Sequence, residues 1–177
     1  KQTERANAML ARLSSFLRYT LANEPTAQVT LAQEVETLKL YLEIEKMRFE
    51  ERLRPVFEID PRVERARLPS LLLQPLVENA IKFTPNGGAV DLSVHREDAM
   101  AVIQIEDTGP GIPPQDLAQI GEPFFRGGQP SGEGAGLGLS IVKRIVDRAT
   151  GSILFENVTG AGRSGLRVTV KLPVADP

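Results

Sequence analysis

Ala101-Val102-Ile103-Gln104-Ile105-Glu106-Asp107-Thr108-Gly109-Pro110-Gly111-Ile112 changes character halfway along. Ile103 and Ile105 alternate with Gln104 and Glu106, the period of a strand with one buried face, although Val102 blurs its start. After Asp107 a stretch crowded with Gly and Pro runs to about Gly136. That is too long for a plain turn, and loops of such length are usually functional or mobile. Just upstream, Val90, Leu92 and Val94 alternate with Asp91, Ser93 and His95, which predicts a neighbouring strand over 89–95. Before it, residues 68–83 read as a helix with Pro69 near its start, where proline is tolerated, and Val56-Phe57-Glu58-Ile59 reads as a short strand. Downstream, Gly138 to Ala149 reads as a helix, and Ile153 to Phe155 and Leu166 to Leu172 as strands. Strands that come in adjacent groups predict a mixed or antiparallel sheet with helices on one face. The expected fold is therefore α+β, a two-layer sandwich.

Residues 1–53 are helical in pattern and 54–177 carry the sandwich, which predicts a helical segment followed by one α+β domain. Met9, Leu10, Leu13, Phe16, Leu17 and Leu21 form one apolar stripe that ends at Asn23-Glu24-Pro25. Thr30 can cap a second helix, with Glu34 and Glu36 in its early turns favoured by the helix dipole and Val35, Leu38, Leu42 and Phe49 as its stripe. Both stripes fit core packing, and the first also fits a face against a second subunit. The 177 residues suit one packed domain with a short appended element. Apolar residues at 41% and charged residues at 25% are ordinary for a globular protein, and a net charge of −2 advertises no nucleic-acid surface. Without Cys, neither disulfides nor thiolate metal sites are possible. No apolar run approaches the roughly 20 residues that span a bilayer, so no membrane contact is expected of this stretch. The chain opens without Met on Lys1-Gln2-Thr3-Glu4-Arg5, in mid-helix by pattern, and reads as a piece of something longer.

Four clusters carry chemistry. Gln74-Pro75-Leu76-Val77-Glu78-Asn79-Ala80-Ile81-Lys82-Phe83 sets Asn79 and Lys82 three apart on one helix face. An amide oxygen can ligate a hard cation such as magnesium, and an ammonium can meet phosphate oxygens. At the end of a strand, Asp107 can accept from an exocyclic amine, while Gly109 and Gly111 let the backbone close on a flat ring. Glu122-Pro123-Phe124-Phe125-Arg126 places two aromatics in a Gly-rich loop. Gly132-Glu133-Gly134-Ala135-Gly136-Leu137-Gly138-Leu139-Ser140 runs into a helix, where exposed N–H groups and the dipole favour phosphate. No strand immediately precedes that run, and no Gly-Lys-Ser/Thr follows, so it is neither a dinucleotide fingerprint nor a P-loop. Each cluster alone has an ordinary reading: solvated polar residues, a tight turn, aromatics pinning a loop to the core, a flexible linker.

Together, and in this order, the clusters resemble the N, G1, F and G2 boxes of the Bergerat-fold (GHKL) ATPases, which include histidine kinases, DNA gyrase, a class of heat-shock chaperones and mismatch-repair ATPases. The F box favours histidine kinases. Leu13-Ser14-Ser15-Phe16-Leu17-Arg18-Tyr19, Tyr41-Leu42-Glu43-Ile44-Glu45-Lys46-Met47-Arg48-Phe49 and Pro69-Ser70-Leu71-Leu72-Leu73-Gln74-Pro75-Leu76-Val77-Glu78-Asn79 resemble the LytS-like sensor kinases. The resemblance implies that Asn79 ligates magnesium, Lys82 meets phosphate, Phe83 lies against adenine and Asp107 bonds the adenine amino group. It also places Gly109, Gly111, Gly134, Gly136, Leu137 and Gly138 around the ATP. Further implications are γ-phosphoryl transfer to a histidine, passage to a response regulator, dimerisation through the N-terminal helices and a cytoplasmic location beneath a membrane-bound or soluble sensor.

Two features depart from LytS-like members. Their Asn-Pro-His-Phe segment with the phosphoacceptor is absent, and His95 reads as a solvated residue near a strand end. Lys82-Phe83-Thr84-Pro85 replaces their Lys-His-Gly, as in the more common histidine kinases, whose first N-box Asn is Pro75 here. The general base stays open, with Glu78 available. Alternatives are a GHKL ATPase that drives conformational change, an anti-sigma-factor serine kinase, and a nucleotide-binding pseudokinase. Pro75 stands where gyrase-type enzymes need Glu, the N-terminal helices disfavour the anti-sigma kinase, and Asn79, Lys82 and Asp107 disfavour the pseudokinase.

Overall fold

The structure, a computed structural model, describes residues 27–49, 54–125, 137–160 and 163–174, together with Leu10 and Ser14. Leu10 and Ser14 are helical, and the rest of the expected first helix lies outside the described residues.

The short strand β1 (Gln28–Thr30) leads directly into α1 (Leu31–Phe49). Thr30 caps that helix as expected. Its Oγ1 accepts from the Gln33 N–H at 3.2 Å, and the Gln33 Oε1 accepts from the Thr30 N–H at 2.9 Å, a reciprocal box that satisfies two otherwise orphaned donors. After β2 (Arg54–Ile59) and a 3-10 turn at Pro61–Val63 comes β3 (Arg67–Pro69), antiparallel to β1. α2 (Leu73–Phe83), β4 (Ala89–Glu97), β5 (Met100–Asp107), the short α3 (Pro114–Leu117), α4 (Gly138–Arg148), β6 (Ser152–Gly160) and β7 (Arg163–Pro173) complete the order.

The main sheet runs β2-β4-β5-β7-β6. β2 and β4 are parallel, with β3 and α2 in the crossover that a parallel pair requires, and the other neighbours are antiparallel. Register sets Leu92, Ile105 and Val168 abreast, and likewise Val94, Ile103 and Val170. This face meets Leu38 of α1, Leu73, Leu76 and Val77 of α2, and Val142 and Val146 of α4 in one core. The α+β two-layer sandwich with a mixed sheet is therefore observed.

One expected helix boundary is corrected. Residues 68–83 are not a single helix: Leu68 and Pro69 belong to β3, and α2 starts only at Leu73. Pro69 ends an edge strand of the two-stranded ribbon, a position where a missing N–H costs nothing. The chain then turns through Leu71, whose φ of 61° is left-handed, a conformation costing a non-glycine residue about 1–2 kcal/mol. It is Pro75, in the first turn of α2, that exploits the tolerance of helix starts for proline. β6 and β7 are longer than their apolar runs because hydrogen bonding continues past the core into polar residues.

Glu34 also behaves unexpectedly. It is 2% exposed, and it caps α2, not its own helix. Its Oε2 accepts from the Leu71 N–H and its Oε1 from the Leu73 N–H, both at 3.1 Å. Burial raises its carboxyl above the ordinary range, opposed by the main-chain donors of Leu73, Leu71 and Leu72. Among the described residues no helix is long and apolar enough to cross a membrane.

Leu76 is 1% exposed beneath the sheet and Leu154 is 54% exposed on edge strand β6. Leu76→Ala is expected to cost about 2–5 kcal/mol of unfolding free energy. Leu154→Ala is expected to cost no more than about 0.5 kcal/mol. Urea unfolding of both variants checks this, and equal losses would contradict the packing described.

Candidate functional site

Asp107 ends β5 on the helix-facing side of the sheet and is 6% exposed. Its Oδ1 accepts from the Gly109 N–H at 2.8 Å and from the Leu166 N–H of β7 at 3.2 Å. Among the described residues nothing donates to Oδ2. One oxygen thus fixes the carboxylate, and the other is left as an acceptor. Burial raises this carboxyl above its ordinary value and the Glu106 charge raises it further, against the lowering effect of the Gly109 and Leu166 donors. Glu106 itself pairs with the Arg167 guanidinium at 2.7 Å.

The turn after Asp107 is clamped from the far side of the sheet. Asn157 of β6 accepts from the Ile112 N–H at 2.8 Å and donates to the Ile112 carbonyl at 2.6 Å. The Ser164 hydroxyl donates to the Gly109 carbonyl at 3.0 Å. Gly111 has φ +73°, and a Cβ there would lie 2.8 Å from Asn157 Oδ1, so both backbone and space demand glycine. A Cβ on Gly165 would run into the Asp107 carbonyl oxygen, which makes this the closest backbone approach in the site.

α2 and α4 close on the same end of the sheet. A Cβ on Gly109 would stand 2.7 Å from the Phe83 carbonyl oxygen, so the Asp107–Gly111 turn lies directly against the end of α2. A Cβ on Gly138, at the first turn of α4, would stand 3.2 Å from Asn79 Nδ2, so α4 begins against the middle of α2. Asn79 is half-buried, and its Nδ2 donates to the Pro75 carbonyl at 2.7 Å, which points the amide nitrogen back along the helix. Lys82 is exposed, with its Nζ 5.4 Å from the centroid of the Phe83 ring, itself 40% exposed. Glu78 is half-buried, and its Oε1 accepts from Gln74 Nε2 one turn earlier at 2.8 Å.

Asn79, Phe83, Asp107, Gly109, Gly111, Leu137 and Gly138 are thus brought to one end of the molecule, with Lys82 on the rim. Gly134, Gly136 and Arg126 lie outside the described residues. In the aromatic cluster Phe124 is 72% exposed with φ 65°, Phe125 is half-buried and Glu122 meets Lys143 at 3.1 Å. His95 is half-exposed, 3.1 Å from Glu97 on the same strand, as a solvated residue would be. Among the described residues no three His, Cys, Asp or Glu side chains converge on a metal position. A magnesium ion at Asn79 would need phosphate oxygens and water as its other ligands, which suits an ion that keeps its waters and binds with phosphates. Asn157, Ser164, Gly165 and Glu34 were not identified from sequence. Only the long-range register of β6 and β7, and the packing of α1 on α2, reveal them.

Comparison with known proteins agrees with this geometry. The family model described as histidine kinase-, DNA gyrase B- and HSP90-like ATPase matches residues 64–176, and one described as histidine kinase matches residues 1–53. The histidine protein kinase DivJ of Caulobacter vibrioides is 38% identical over 122 residues, 68% of this chain and 20% of that protein. The sensor histidine kinase BtsS of Escherichia coli K12 is 32% identical over 180 residues, 99% of this chain and 29% of that protein. The chain therefore spans less than a third of either relative. Among solved structures, the mycobacterial sensor histidine kinase MprB superposes with a TM-score of 0.69 at 27% identity, covering 86% of this chain and 99% of that one.

The raised carboxyl of Asp107 gives a pH test. The folded protein holds this proton more tightly than the unfolded chain, whose value is near 3.8, so the stability it contributes is full below that value and is lost as pH rises through the raised one. Asp107→Asn keeps an oxygen for the Gly109 and Leu166 donors without ionising. The melting temperature of the wild type relative to this variant is expected to fall as pH rises above about 4. A difference independent of pH would show that the carboxyl is not perturbed by its burial.

Proposed function

We propose that this chain, which belongs to the histidine kinase-, DNA gyrase B- and HSP90-like ATPases, is the catalytic part of a two-component sensor histidine kinase. Its substrate is ATP with magnesium. It carries a histidine-kinase-type ATPase domain, and the γ-phosphoryl group goes to a histidine outside these 177 residues and then to a response regulator. The observation that carries the reading is the meeting of three motif segments at one point: Gly109 against Phe83, Gly138 against Asn79, and Asp107 with Oδ2 left to accept.

The residues fit the nucleotide. Asp107 Oδ2 accepts from the adenine amino group, and Gly109 and Gly111 let the backbone approach the ring. Phe83 lies against adenine. Asn79 offers its amide oxygen to magnesium, because its nitrogen is engaged by Pro75. Lys82, reaching out from the rim, meets the phosphates. Leu137 and Gly138 present the N-terminus of α4, with Gly134 and Gly136 upstream of it. A magnesium ion held there by Asn79 would supply charge neutralisation at the phosphates, so that positioning and electrostatics, more than covalent chemistry, carry the transfer. Glu78 is the candidate base, oriented by Gln74.

The finer assignment to LytS-like kinases rests on the segments 13–19, 41–49 and 69–79. Residues 1–53 form the C-terminal part of a dimerisation and phosphoacceptor region, in which residues 1 to about 23 pair with the helix that bears the phosphoacceptor, and 54–177 form the catalytic domain. The separate matches to 1–53 and 64–176 support this division, although α1 shares the core of the second part. The location is cytoplasmic, beneath a sensor that the parent protein supplies.

Isothermal titration with a non-hydrolysable ATP analogue tests the reading. Binding is expected to be tighter with magnesium, and Asn79→Ala is expected to remove that increment. Asp107→Asn is expected to weaken binding by about 10–100-fold, because it turns the acceptor facing adenine into a donor. Near-wild-type affinity in Asp107→Asn would discard the adenine role, and no binding by the wild type would overturn the nucleotide reading.

A further inference from the structure

Two helix starts meet at one joint. The first N–H groups of α1 are taken by main-chain carbonyls: Leu31 N–H donates to Ala66 at 2.8 Å and Ala32 N–H to Glu64 at 3.0 Å. α2 starts at Leu73 after Leu72, and no local side chain caps it. The only side-chain acceptor at this start, among the described residues, is Glu34, which reaches it from α1 across 37 and 39 positions of sequence. The turn it holds is not a relaxed one. Leu71 has a left-handed φ of 61°, and the neighbouring Ser70 hydroxyl is fully buried without a hydrogen-bond partner among the described residues. The Ser70 N–H is tied to Ala27, the residue before β1. A conformation of this kind persists only while its surroundings enforce it, and Glu34 supplies two of the bonds that do so.

The helix held in this way carries the proposed site. Asn79 and Lys82 lie on α2 one and a half to two and a half turns beyond the cap, and the Asn79 amide is itself bonded to Pro75 in the first turn. A shift or fraying of that first turn therefore moves the partner of Asn79 directly. We propose that Glu34 is a positioning residue for the nucleotide site, holding the start of α2 so that Asn79 faces the phosphates. α1 is then the element through which the preceding part of the protein reaches the site. The positioning role rests on the nucleotide reading given above, whereas the cap itself does not.

Two measurements on the 177-residue chain and its Glu34→Gln and Glu34→Ala variants separate these claims. In amide hydrogen exchange without nucleotide, residues 71–77 of Glu34→Ala are expected to exchange at least about fivefold faster than in wild type, with β5 unchanged. Glu34→Gln, which keeps one acceptor oxygen and the size of the side chain, is expected to fall between them. In titration with the ATP analogue, Glu34→Ala is expected to bind about tenfold more weakly with magnesium and to lose much less without it, because the cap acts through Asn79. Partial rescue is expected in Glu34→Gln, which also decides the matter if Glu34→Ala does not fold. Unchanged exchange at 71–77 would overturn the cap. Faster exchange with wild-type affinity and magnesium dependence would overturn the positioning role and leave Glu34 a structural residue. Failure of the wild type to bind the analogue would overturn the nucleotide reading and the positioning role with it, while exchange still reports on the cap.

Discussion

A buried carboxylate held by two main-chain N–H groups is the constraint around which this end of the molecule is organised. Asp107 can remain at 6% exposure only because the Gly109 and Leu166 donors meet its Oδ1, and those donors come from two different parts of the chain. The Leu166 bond requires β7 to run close beside the end of β5, which in turn requires Gly165, because any side chain there would strike the Asp107 carbonyl. The Gly109 bond requires a tight turn, which Asn157 and Ser164 hold from β6 and β7. The placement of one carboxylate therefore depends on three strands. The burial that raises its proton affinity also prepares it to bond strongly with an uncharged donor.

Two contacts fix the two ends of α2, and they have different characters. At Phe83 and Gly109 the approach is backbone to backbone, permitted by the absence of a side chain. At the start of α2 it is electrostatic, with a carboxylate from α1 satisfying donors that the helix leaves open. The first contact fixes where the turn after Asp107 lies relative to α2. The second fixes the start of α2 relative to α1. Since α1 lies in the same core as the sheet, the upstream part of the chain and the site share one packing unit.

Much of this was legible in the residues. Period-two runs at 89–95 and 101–107 found two central strands. Thr30 read correctly as a cap because its partner, Gln33, is only three positions away. The failures share a cause. Pro69 read as a helix start because proline suits that position, but pairing with Gln28, 41 positions earlier, made it the end of a strand. Asn157, Ser164 and Gly165 sit in an unremarkable polar stretch, and their role exists only through register with β5 and the turn beyond it. Glu34 has the composition of an ordinary first-turn acid, and only tertiary packing redirects it to another helix. Local propensity carries information about neighbours in sequence, whereas these four residues act across 37 or more positions.

Under the proposed function, the turn at Asp107 and the helix bearing Asn79 are two ends of one nucleotide site. Hydrogen-exchange protection by a non-hydrolysable ATP analogue tests it most directly, with and without magnesium. Residues 107–112 are expected to gain protection in both conditions, and residues 76–83 to gain their full protection only with magnesium. Protection of one segment without the other in the presence of magnesium, or protection confined to other parts of the chain, would contradict it.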